Sequence, residues 1–130
     1  MIYSLLVLSS PTSGLCNRTA AQFANSVLAR GHQIHRVFFL DAGTYAGAVS
    51  AIFPQDEASP LPSWVELAEH HQVELVLCVS SALRRGMLDE TEAQRYEQAG
   101  PTIHAAFTIS GLGQLIDASA NSDRLITFGG

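Results

Sequence analysis

The reading of this chain turns on Val73-Glu74-Leu75-Val76-Leu77-Cys78-Val79-Ser80-Ser81-Ala82-Leu83-Arg84-Arg85-Gly86. Its first half is a short apolar run of the length and composition of a buried strand. Its second half turns polar, carries two arginines and ends on glycine, so a loop is expected there. Cys78 stands at the junction. An inert cysteine is expected inside an apolar run. A reactive one needs solvent access and nearby positive charge, because the thiolate is the nucleophile and cations lower its pKa. This position offers both.

Outward from that strand, strand-like and helix-like segments alternate. Ile2 to Leu8 is an apolar run ending in the loop Ser9-Ser10-Pro11-Thr12-Ser13-Gly14. Ala20, Phe23, Ala24, Val27 and Leu28 then share one helical face, and Gly31 supplies the stop. Gln33 to Leu40 reads as a second strand. Asp41 to Pro62, with its glycines and prolines, reads as a long loop holding at most a short helix around Ala46 to Ile52. Ser63 to Gln72 reads as a helix and Val73 to Val79 as the third strand. Asp89 to Gln98 is expected to be helical, with Asp89 as N-cap and Glu92 three residues on, like a capping box. Ala106 to Ile109 is a fourth strand. Leu112, Leu115, Ile116 and Ser119 mark another helix, and Leu125 to Phe128 a last strand.

Five short strands separated by helices predict an α/β domain, one unit over residues 1–130, with a mainly parallel sheet covered on both faces. Ligands of such sheets gather at the carboxyl ends of the strands. Cys78 lies at one such end, and the loop carrying Cys16 runs along the same edge. Strand order does not follow from the pattern.

Composition narrows the function. Twelve acidic residues against seven basic ones give a net charge of −5, which argues against broad binding to nucleic-acid phosphates. The apolar runs are strand-sized, shorter than a membrane-spanning helix requires, so no membrane partner is expected. The first residues lack the basic region of a signal peptide, and two cysteines make no disulfide framework. The expected compartment is a reducing cytoplasm.

Several chemistries fit around Cys78. Arg84, Arg85, the hydroxyls of Ser80 and Ser81 and the turn's backbone N–H groups could each stabilise a thiolate or a persulfide anion. The alternative is a buried structural cysteine beside a solvated turn. The spacing Cys78-x5-Arg84 also fits a cysteine phosphatase loop. That loop wants glycines to wrap an anion, and Val79-Ser80-Ser81-Ala82-Leu83 has none. Cys16, with Asn17 a candidate N-cap, is the competing nucleophile. His32, His35, His70, His71 and His104 form no recognisable metal motif, so neither a metal nor another cofactor is expected. Ser110-Gly111-Leu112-Gly113-Gln114-Leu115 lacks a phosphate-loop signature and is expected to be a closely packed strand-to-helix turn. Trp64 and Phe107 are expected to be core or interface aromatics, not stacking platforms.

Residues 31–39 (GHQIHRVFF), 78–93 (CVSSALRRGMLDETEA) and 107–115 (FTISGLGQL), with Asp123-Arg124-Leu125 near the end, together resemble the DsrE/TusD sulfur-relay proteins, most closely the TusD branch. The resemblance spans essentially the whole chain. It implies a three-layer α/β/α fold with a five-stranded parallel sheet. It implies a D-type subunit in a hetero-hexamer with TusB- and TusC-like sisters, two copies of each. At the position of Cys78 the family carries sulfur as a persulfide. The TusD branch takes it from a TusA-like donor and passes it to a TusE-like acceptor for 2-thiolation of the tRNA wobble uridine. The DsrE branch serves sulfur oxidation with a DsrC-like partner. Cys16 matches no motif of the family. A non-catalytic assembly subunit and a phosphatase-like enzyme remain the alternatives.

Overall fold

The computed structural model describes residues 1–129. Five strands form one sheet: β1 (Ile2–Val7), β2 (Gln33–Phe39), β3 (Glu74–Cys78), β4 (Phe107–Ser110) and β5 (Arg124–Phe128). Every pairing is parallel, in the order β4-β3-β2-β1-β5. The helices are α1 (Cys16–Ala29), α2 (Leu61–His71), α3 (Val79–Arg84), α4 (Glu90–Arg95) and α5 (Gly113–Ala120).

The strand order explains how the faces are covered. From β1 through β4 each connection steps to the same side, and right-handed crossovers then place α1, α2 and the α3–α4 segment on one face. The chain next crosses from one edge of the sheet to the other, which sends α5 to the opposite face. Strand side chains alternate accordingly. Leu5, Val7, Val37, Phe39, Leu75 and Leu77 join the large core with Ala20, Ala24, Val27, Trp64 and Leu67. Phe38, Val76 and Cys78 form a smaller cluster on the other face, against which Leu6, Leu40 and Leu115 of α5 pack.

The apolar face read along α1 is present, with Ala20, Ala24 and Val27 buried and Phe23 and Leu28 partly so. Gly31 ends it at φ +84°, a left-handed backbone that glycine adopts without a Cβ penalty. Trp64 and Phe107 are core residues, both packed on Phe39. Asp89 caps α4 through Glu92 N–H to Oδ1 at 2.8 Å, although the Glu92 carboxylate turns to Arg95 instead of completing a box.

Several expectations are corrected. The short helix lies earlier than Ala46–Ile52: a 3-10 helix spans Asp41–Gly47, and Val49–Ser59 holds no helix. Its early start follows from Gly43, whose Cα lies so close to the Val7 carbonyl that no Cβ would fit. α2 begins at Leu61, two residues before Ser63, because Pro62 is tolerated in a first turn whose N–H groups need no helical partner. α4 ends at Arg95, short of Gln98. Asn17 is not a cap: α1 starts at Cys16, and Asn17 is wholly buried between Ser9 and Trp64. Gly111 and Gly113 are not closely packed either, since a Cβ at either would meet open space.

Candidate functional site

Cys78 ends β3 and is the residue preceding α3. It pairs across the sheet with Ser110, the last residue of β4. The chain leaves β3 toward one face and β4 toward the other, so these two strand ends flank the point where the winding reverses. In parallel α/β sheets that crevice is the usual ligand position. The topology therefore puts the cysteine at the sheet's one such point between paired, helix-followed strands.

Two sequence expectations about this site change. The segment after Cys78 is helix, not loop, over Val79–Arg84. α3 starts directly at Val79, leaving no glycine-bearing loop between Cys78 and Arg84 to wrap an anion, which weakens the phosphatase reading. Cys78 is also not solvent-accessible: 1% of its surface is exposed. The polarity of the downstream residues suggests access, but Cys78 belongs to a buried apolar cluster with Phe38 and Val76, against which Leu6, Leu40 and Leu115 pack.

The electrostatics come from hydroxyls and amides. Burial pushes the Cys78 thiol up, but hydrogen bonding from the Ser81 amide, the Ser80 and Ser81 hydroxyls and the Ser80 amide outweighs it, leaving the pKa below its ordinary value. The Ser80 Oγ lies 3.6 Å from Sγ. In the thiol form no capping bond to Sγ is closed. The amides act by favouring the charged sulfur, as N-terminal helix amides favour any anion. Neither arginine takes part in this. Arg85 donates to the Ser81 carbonyl at 3.1 Å, tying down the helix turn. Arg84 is exposed and lines a surface groove with Leu83, Leu88 and Tyr96.

Cys16, at the first position of α1, is half-buried, with its thiol 3.6 Å from the Gly129 carbonyl. Both cysteines are free thiols. Among the described residues no three His, Cys, Asp or Glu side chains converge as a metal site, and no helix is long and apolar enough to cross a membrane.

Sequence reasoning missed the anchoring of α5. Arg36 is buried on β2 and donates through Nε to Glu74 (2.8 Å) and through Nη1 to Asp117 (2.7 Å) and the Gln114 carbonyl (3.0 Å). His35 Nε2 adds a contact of 3.2 Å to the same Asp117 oxygen. Hydrogen bonds from Arg36, then from His35, hold the Asp117 carboxyl below the usual carboxylate range. The signal was an arginine inside an apolar strand, a residue type that is almost never buried unpaired.

The fold is thus an all-parallel five-stranded α/β sheet with a buried thiol, its pKa held below the ordinary value, at the end of β3. The sequence matches the DsrE/DsrF-like family over residues 1–128, and the chain belongs to that family. It is 38% identical over 125 residues to a sulfurtransferase TusD homolog of Pseudomonas aeruginosa, covering 96% of this chain and 95% of the relative. It is 40% identical over 124 residues to sulfurtransferase TusD of an Enterobacter species, covering 95% and 97%. A candidate DsrE sulfurtransferase of Allochromatium vinosum is 40% identical over 129 residues, 99% of each chain. The crystal structure of the Escherichia coli ychN protein shares the fold, with a TM-score of 0.77 at 16% identity over 98% of this chain and 99% of that one. With these relatives, the chain is a sulfurtransferase of the sulfur-relay type.

Proposed function

We propose that residues 1–130 form one sulfurtransferase domain that carries sulfur as a persulfide on Cys78. The reading rests on the position of Cys78 at the β3–β4 switch point, with Ser80 and Ser81 favouring its thiolate. In the first step the Cys78 thiolate attacks the outer sulfur of a donor persulfide. A Cys78 S–S bond forms, the donor S–S bond breaks, and the donor leaves as its own thiolate. An acceptor thiolate then attacks the outer sulfur of Cys78–S–SH and releases Cys78 as thiolate. No net oxidant is needed, because the transferred sulfur brings its oxidation state with it.

The donor is a TusA-like carrier and the acceptor a TusE/DsrC-like one, working in the cytoplasm for 2-thiolation of the tRNA wobble uridine without direct contact to tRNA. The net charge of −5 suits a protein that meets other proteins instead of nucleic acid. Assembly with TusB- and TusC-like sisters in a hetero-hexamer accords with the exposed Leu112 and Ile116 around α5. Because Cys78 is buried, transfer includes a local opening that exposes Sγ. Arg84 and Arg85 act in this scheme by docking an acidic carrier, not by charging the sulfur. A second reading, relay in sulfur oxidation, draws on the DsrE branch of the resemblance; the DsrE chain of Allochromatium and the TusD chain of Enterobacter are equally similar, at 40% identity.

Mass spectrometry after incubation with a labelled donor persulfide tests the carrier role. One added sulfur atom is expected on the parent protein and on Cys16→Ser, and none on Cys78→Ser. Sulfur retained by Cys78→Ser would remove Cys78 from the relay. Comparing transfer to a TusE-like and a DsrC-like acceptor separates the two pathways.

A further inference from the structure

Any exchange at Cys78 must first uncover it, since the residue is buried in the cluster with Phe38 and Val76. Leu6, Leu40 and Leu115 pack against that cluster. Leu6, Phe38 and Val76 stand on strands paired along both edges. Leu40 directly follows β2, its N–H donating to the Val7 carbonyl at 3.0 Å. Leu115 is different, because it stands on α5. It can leave the cluster without breaking the sheet.

α5 is also lightly held. Of its eight residues Ala118 alone is buried, and Ile116 is largely exposed. Among the described residues, its side-chain hydrogen bonds to the sheet come from two neighbours on β2. Arg36 Nη1 donates to the Gln114 carbonyl and to Asp117 Oδ2, and His35 Nε2 meets the same Asp117 oxygen. Gln114 and Asp117 flank Leu115, so one helical turn carries both the polar grip and the apolar contact. Gly111 and Gly113 bracket the entry to the helix, each with room for a side chain. Packing therefore does not fix that connection, and such element-terminal positions absorb the backbone change of a hinge. Segments with few buried apolar contacts open well before the whole domain unfolds.

We propose that α5 is the gate of the sulfur site: it pivots at Gly111–Gly113, and the grip of Arg36 and His35 on the Leu115 turn keeps it shut on the Cys78 cluster. This deepens the persulfide reading above and rests on it for what the gate admits. When α5 swings out, Leu115 leaves with it and the cluster opens on the face away from α1 and α2. Cys78 itself stays on β3, whose pairing with β2 and β4 is untouched. The nucleophile thus becomes reachable without being displaced. Arg36 is not stranded by the opening, because its Nε still donates to Glu74 at 2.8 Å. A buried cation that keeps one partner avoids the large penalty of an unpaired one.

Maleimide labelling of the folded chain in a Cys16→Ser background, where Cys78 is the remaining thiol, tests this. Asp117→Asn should label Cys78 about fivefold faster, the worth of a half-exposed ion pair. Leu115→Ala, which changes no charge, should label faster as well. Gly113→Ala fills open space and stiffens the pivot, so it should label about twofold slower. Urea well below the unfolding midpoint should leave these rates nearly unchanged, because a local opening exposes little surface. Labelling at the parent rate in Asp117→Asn or Leu115→Ala, labelling no slower in Gly113→Ala, or rates that climb with urea as steeply as global unfolding would overturn the proposal. Asp117→Asn alters a half-exposed side chain and serves if the alanine variant does not fold. Sulfur loading is read separately. Cys78 that the substitutions uncover but that accepts no sulfur overturns the relay and leaves the gate standing.

Discussion

Asn17→Ala is expected to be among the most damaging single changes in this chain. Asn17 has no exposed surface; its Nδ2 donates to the Ser9 carbonyl at 2.9 Å and its Oδ1 accepts from Trp64 Nε1 at 3.0 Å. Truncation leaves a buried carbonyl and a buried indole N–H unpaired, each costing about 1–3 kcal/mol. A small cavity adds to this, so the total is roughly 3–5 kcal/mol. Against a typical domain stability of about 5–15 kcal/mol, that is a large fraction. Urea denaturation should show the midpoint falling with an unchanged m-value, and thermal melting should drop by on the order of 10 °C. The origin is separable in a double-mutant cycle. In a Trp64→Phe background the indole N–H is already gone, so Asn17→Ala should cost less there by about the price of one orphaned donor, 1–3 kcal/mol. A cost below about 1 kcal/mol, or an identical cost in both backgrounds, would refute the reasoning.

Acid should loosen α5. The folded Asp117 pKa is depressed by Arg36 and His35, so the unfolded state takes up its proton first. The stability it contributes is present above the ordinary carboxylate range and is lost as pH falls through the folded value. Denaturation across acid pH should show Asp117→Asn flattening that limb, and an unchanged limb would contradict the assignment. A bulky maleimide should label half-buried Cys16 before buried Cys78 in the folded protein and both alike in urea, read by peptide mapping. Gly43→Ala should destabilise by about 1–3 kcal/mol in urea melts, because its Cβ would overlap the Val7 carbonyl and the backbone must move.

Much of the fold was legible because it rests on local periodicity. The α1 face, the short buried strands and the Gly31 stop each carry a signal within a few residues. The order β4-β3-β2-β1-β5 carries none, since it is decided by which edges meet after collapse. Asn17 misled for a similar reason: its residue type suits a cap, but Trp64, 47 positions away, decides its role. At the site, Cys78, Ser80 and Ser81 stood out because the chain changes character there. Their burial did not, because Phe38 and Leu115 reach Cys78's cluster from distant segments. The arginines misled in the opposite direction. Proximity in sequence suggested proximity to sulfur, while the helix turn directs Arg85 to a carbonyl.

The pairing of β1 with β5 has a consequence for how this chain is made. β1 is flanked by β2 on one side and by β5 on the other, in register from Tyr3↔Arg124 to Val7↔Phe128. During synthesis β2 emerges soon after β1, but the other edge of β1 stays unpaired until residues 124–128 have left the ribosome. Until then the nascent chain presents a bare, parallel-competent edge, the kind of surface that invites pairing with a neighbouring chain. Ribosome-bound intermediates stalled before Arg124 should therefore engage chaperones, and release them once β5 docks.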